Sequence, residues 1–150
     1  MLNKEKKNLN LKRKILLIGL DCASPKTLFE DFLDDCPNIR KMIKNGIYGK
    51  LRSSDPPITI PAWMVMATSR NAGSLGVYGF RHRKDNSYND FWITNSYTIK
   101  HPKIWDILAE YNLKSIIIGV PPTYPVQKMN GHMISGFITP YVNSNYAYPP

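Results

Sequence analysis

The chain has 150 residues, 43% hydrophobic and 21% charged, with a formal net charge of +9. That composition excludes a fibrous or disordered chain, and the length suits one domain with a single core. Residues 1–14 hold six basic side chains and one acid. More than half of the net charge therefore sits in a basic tail expected to be flexible. The remaining 14 basic and 10 acidic groups form too mild a surplus for a broad nucleic-acid face, so no nucleic-acid partner is expected.

Lys14–Leu20 is a continuous apolar run, the pattern of a first strand buried on both faces. It is too short for a membrane span and, interrupted by Asp21, too short for a secretory signal. With only Cys22 and Cys36 for cysteines, a reduced, cytoplasmic chain is the expectation. Ser24-Pro25 reads as a helix start leading into Thr27–Leu33, and Pro37 opens a second helix with Asn45-Gly46 as its left-handed stop. Ile47–Leu51 reads as a second strand.

A polar, proline-containing loop, Arg52–Ile60, precedes a helix opened by Pro61 and running over Ala62–Thr68. Ser69–Asn89 reads as a long irregular segment and Phe91–Thr94 as a short strand. Lys103–Tyr111 has the spacing of an amphipathic helix, Ser115–Val120 reads as a fully buried strand, and His132–Phe137 as a last one. Alternating strands and helices with uniformly apolar strands predict an α/β fold, a mostly parallel sheet with helices on both faces. Ligands of such sheets bind beyond the carboxyl ends of the strands, where Asp21 and Thr59 both fall.

Asp21 follows an apolar strand directly, where a carboxylate needs a cation, a donor or a turn to cap. A ligand reading and a reading as helix cap or turn residue for the segment at Ser24 are equally open for it. Thr59 stands two residues before the proline that opens its helix. It is either an N-cap hydroxyl or a nucleophile held where unpaired N–H groups and the helix dipole favour a phosphate. The backbone N–H of Ile60 is placed to face a phosphate oxygen in the second reading. Arg52, Arg70, Arg81, His82 and Arg83 are candidates for an anionic substrate, but each reads more simply as a solvated loop residue. Trp63 and Trp105 read as core residues. Cys22 could serve as a soft ligand, and His82, His101 and His132 show no metal-ligand spacing.

Ile15–Asp21 resembles the first strand and first metal-binding aspartate of the type I phosphodiesterase/nucleotide pyrophosphatase family, in the alkaline phosphatase superfamily. Gly46–Ser53 followed by Pro57–Trp63 resembles the segment that carries the family's nucleophilic threonine. Pro121–Pro125 and Asn130–Phe137 resemble later segments, so the resemblance runs from about Lys14 to Pro150. Thr68–Gly76 departs from it, lacking the family's Thr-Gly turn and its proline and histidine.

The resemblance implies an alkaline-phosphatase-like fold, truncated, with residues 15–150 as the N-terminal part of a phosphodiesterase-type domain. It implies hydrolysis of phosphodiester or pyrophosphate bonds in a small phosphate-ester substrate. It also implies Thr59 as the nucleophile and as a metal ligand, with Asp21 as a further ligand. Two divalent metals, zinc or manganese, are expected in the family enzyme, with their remaining ligands absent from this chain, which alone is expected to be inactive. The alternatives are a non-catalytic truncated remnant and a small anion-binding α/β module.

Overall fold

The computed structural model describes residues 14–141 and 145–150. The basic tail, apart from Lys14, lies outside the described residues. The chain divides into two compact units, one spanning Arg13–Arg52 and the other containing Ser53–Pro150.

In the first unit, Ser24 and Pro25 start a helical segment as expected: Ser24 Oγ accepts from Thr27 N at 3.1 Å. The segment continues as a π-helical turn over Thr27–Asp31. Helix α1, Pro37–Asn45, follows, with proline in its first turn, where the missing N–H costs nothing. An edge-to-face contact joins the rings of Phe29 and Tyr48, 5.3 Å apart, and Lys50 lies 3.6 Å from Glu30. None of the unit's described residues is buried.

Two expected strands are not formed here. Lys14–Leu20 and Ile47–Leu51 carry no strand pairing, and their apolar side chains stand in solvent, Ile15 at 94% exposure. Apolar composition supplies a reason to be buried, but a strand also needs a hydrogen-bonded neighbour about 4.8 Å away. Among the described residues neither segment has one.

The second unit holds the core. Helix α2, Thr59–Thr68, begins two residues earlier than its proline suggests and ends at Ser69 in the left-handed region. Asn71 caps the short helix α3, Ala72–Leu75, by accepting from Ser74 N at 2.8 Å. The stretch expected to be irregular therefore holds a helix, and it also holds β1, Arg81–Arg83. That strand pairs antiparallel with β2, Phe91–Ile93. Helix α4, Ile104–Glu110, starts with the Asp106 carboxylate accepting from Lys103 N at 2.9 Å.

Strands β3, Ser115–Ile118, β4, Gly131–Ile134, and β5, Ala147–Tyr148, form a second sheet in the order β3-β4-β5. β3 and β4 are parallel, while β4 and β5 are antiparallel. The fold is thus α/β, but it is built from two small sheets, one of them antiparallel, and not from the mostly parallel sheet the apolar runs predict. Nor is β3 buried on both faces. Ile117 packs towards the core, whereas Ile116 and Ile118 are exposed. On β3 and β4 the exposed residues Ile116, Ile118, His132 and Ile134 alternate with the covered ones.

Ile60, Met64, Ala67, Leu75, Val77, Ile99, Trp105 and Met133 make the core, with Trp63 packed at its margin. The expectation that Trp63 and Trp105 are packing residues agrees with this placement. Gly131 is required where it stands. Its φ is +139°, and a Cβ there would meet the Ser115 carbonyl oxygen at 1.9 Å. Thr123, buried, ties the ends of β3 and β4 together. Its hydroxyl donates to Val120 O at 2.6 Å and accepts from Gly136 N at 3.1 Å.

Candidate functional site

Thr59 is the first residue of α2, and Ile58, extended, occupies the cap position without a side-chain cap bond. The helix contains no acidic residue in its first turn. Thr59 and Ile60 place their backbone N–H groups in that turn, where no carbonyl of the same helix lies four residues back; Pro61 has no N–H to add. The N-terminal end of α2 therefore concentrates positive potential without a carboxylate of its own to neutralise it.

The body of the helix is anchored. Ile60, Pro61, Met64, Ala67 and Thr68 are all buried, and Thr68 Oγ1 donates to Met64 O at 2.6 Å. A half-buried Thr59 hydroxyl is thus carried on a turn whose position the core fixes. Such an end can hold a phosphate group, and a hydroxyl on it is the residue type that can form a phosphate ester.

Asp21 belongs to the other unit. It is exposed, at a turn, and its Oδ1 accepts from Cys22 N at 3.1 Å. Cys22, also exposed, adopts φ 59°, the left-handed region. Asp21 is thus a turn residue ahead of the helical segment, which takes a side-chain cap from Ser24.

The remaining candidates are spread out. Arg52 and Arg70 are exposed; Arg81, His82 and Arg83 lie together on β1. His82 Nε2 accepts from Tyr78 N at 3.4 Å, His101 Nε2 contacts Ser74 O at 3.2 Å, and His132 is exposed on β4. Among the described residues no three His, Cys, Asp or Glu side chains gather as a group that could hold a metal ion.

One feature escapes sequence reasoning. A cavity of about 20 Å³, room for roughly one water, is lined by Lys103, Asp106, Thr123, Met64 and Met133 among others. Burial lowers the pKa of the Lys103 ammonium below the usual lysine value. Asp106, 3.8 Å away, opposes that shift, and Lys100 adds to it. Lys103 Nζ also donates to Ile99 O at 3.0 Å, which makes the group a helix-start brace. A larger groove of about 270 Å³ runs past Thr94, Pro122, Tyr124, Phe137 and Ile138. Neither cavity is lined by Asp21 or Thr59.

No curated protein and no solved structure matches the chain. A family model does: that of type I phosphodiesterase / nucleotide pyrophosphatase, over residues 15–149. The match takes in the Asp21 turn, the Thr59 helix and both sheets, and by it the chain belongs to the type I phosphodiesterase/nucleotide pyrophosphatase family.

Proposed function

We propose that this chain carries the phosphate-binding, nucleophile-bearing segment of a hydrolase that cleaves phosphodiester or pyrophosphate bonds in a small phosphate ester. The observation that carries this reading is the α2 start: a threonine at the first helical position, with Ile60 N–H beside it and no acid in the turn. Thr59 Oγ would form the new bond to phosphorus, its proton passing to solvent water, as the ester oxygen leaves with its electron pair and takes up a proton in turn. Water would then cleave the phosphothreonine and restore the hydroxyl. The Ile60 N–H would face a phosphate oxygen and stabilise the charge that builds there.

The family is generally metal-dependent. Asp21 and Thr59 are the ligands the family resemblance assigns, and the described residues gather no three-donor group. Among the described residues the donor set does not fit a complete metal centre. The same observation favours a second reading, in which the α2 start binds an anion without chemistry.

Titration of the isotopically labelled chain with phenyl phosphate, followed by amide resonances, tests the site. The expected result is a saturable shift centred on Thr59 and Ile60, weakened in Thr59→Ala and retained in Thr59→Ser. A shift confined to other residues, or an unchanged affinity in Thr59→Ala, would overturn the proposal.

A further inference from the structure

The β1–β2 hairpin has one face that phosphate-ester chemistry at Thr59 does not use. His82 and Trp92 are paired across the strands, stack with ring centroids 4.4 Å apart, and take the partly covered face. By strand alternation Arg81, Arg83, Phe91 and Ile93 take the opposite face, and all four are exposed. The register sets Arg81 opposite Ile93 and Arg83 opposite Phe91. The Arg81 guanidinium lies 5.3 Å from the Phe91 ring centroid. That of Arg83 lies 4.0 Å from the centroid of Tyr88, in the connecting loop.

The charges of this face are not neutralised from within. Lys84 pairs with Asp90 at 3.2 Å, and Asp85 Oδ1 accepts from Ser87 N within the loop. Among the described residues, no carboxylate pairs with Arg81 or Arg83. Meanwhile Ile93 is 60% exposed, Phe91 44% and Tyr88 75%. The face therefore combines two cations that lack anions with three large side chains that lack apolar cover.

The headgroup boundary of an anionic bilayer satisfies both needs at once. Aromatic and aliphatic side chains settle at the acyl edge, and guanidinium groups meet lipid phosphates. A single-stranded nucleic acid suits the face less well. Its bases stack on open aromatic rings, but guanidinium groups already lie over Phe91 and Tyr88, and Ile93 offers a base nothing. We propose that the outer face of the β1–β2 hairpin docks this chain onto an anionic lipid surface, with Phe91, Ile93 and Tyr88 at the acyl edge and Arg81 and Arg83 on phosphates. This docking is independent of the role of Thr59.

Co-sedimentation of the 150-residue chain with phosphatidylcholine vesicles, with and without phosphatidylserine, tests the proposal. Binding is expected only with phosphatidylserine. Arg81→Gln with Arg83→Gln should weaken it about 30-fold. Phe91→Ser with Ile93→Ser should weaken it about tenfold or more. The double change Arg81→Lys with Arg83→Lys keeps the charge and should stay within about threefold of the parent. Lys41→Gln with Lys44→Gln on α1 removes equal charge elsewhere and should also stay within about threefold.

Residues 1–14 are common to every variant, so their contribution cancels in the comparison, and circular dichroism checks that each variant is folded. Should the serine variant fail to fold, the glutamine and lysine pairs decide. No phosphatidylserine-dependent binding, or equal losses in the α1 and hairpin glutamine variants, would overturn the proposal. So would arginine-dependent binding of a single-stranded oligonucleotide without vesicle binding.

Discussion

Arg13–Arg52 and Ser53–Pro150 are comparably rich in apolar residues, yet only the second buries them. In the first, order is local: a serine cap, a proline-initiated helix, one ring pair and exposed ion pairs. Each is worth a few tenths of a kcal/mol to about 1 kcal/mol. In the second, α2 and α4 and one face of the β3–β5 sheet contribute to a common core around Met64 and Met133. The difference teaches that an apolar run becomes a strand only where a partner strand and a covering layer exist.

The largest expected effect follows directly. Met64→Ala removes a side chain only 1% exposed and should cost about 2–5 kcal/mol in urea unfolding. Leu17→Ala, a change of similar size in an exposed residue, should cost less than about 0.5 kcal/mol. Equal costs would erase the contrast between the units.

Next in size is Thr123→Val, which keeps the shape but leaves Gly136 N without its acceptor. Thermal unfolding should report a loss of about 1–3 kcal/mol. A neutral result would show that the junction between β3 and β4 is held by packing alone.

Hydrogen exchange sharpens the comparison residue by residue. Amides of Met133 and Ile134, in the strand paired on both sides, should exchange slowest, and those of Ile15–Leu20 at nearly unprotected rates. Protection of Ile15–Leu20 matching that of β4 would mean that the run is paired after all.

The smallest effect is a pH dependence. The folded-state pKa of Lys103 is lowered, so the unfolded chain binds more protons in the range between the folded and unfolded values. Stability should therefore rise with pH through the range just below the ordinary lysine pKa. Lys103→Met should flatten that rise in urea titrations. An unchanged slope would show that burial of the ammonium carries no such penalty.

Helices were legible wherever punctuation was explicit. Pro37 and Asn45 bound α1, although Gly46 leaves the helix extended, at φ −136°, and not in the expected left-handed turn; the apolar spacing after Lys103 marks α4. The start of α2 was displaced because a proline at the third helical position still leaves room for Thr59 and Ile60 ahead of it. The Asn71 cap of α3 was readable in principle, as an asparagine three residues before a serine, but was lost among small and polar neighbours. Pairing was the least legible part. The hairpin partner of Arg81–Arg83 lies just across the loop that follows, and Ala147–Tyr148 adds to a strand farther back in the chain; periodicity within a segment registers neither pairing. At the candidate site, sequence named Asp21 and Thr59; the core that fixes α2 could be read only from the structure.

Hydrolysis of an aryl phosphodiester by the purified 150-residue chain, with zinc or manganese added and Thr59→Ala run alongside, most directly tests the claim that the chain bears the nucleophile segment without a complete metal centre. The predicted result is turnover indistinguishable between the two proteins and from buffer, because no three-donor group gathers among the described residues. Metal-dependent turnover that Thr59→Ala lowers on the order of 10³-fold would contradict it, showing that this chain assembles the whole site.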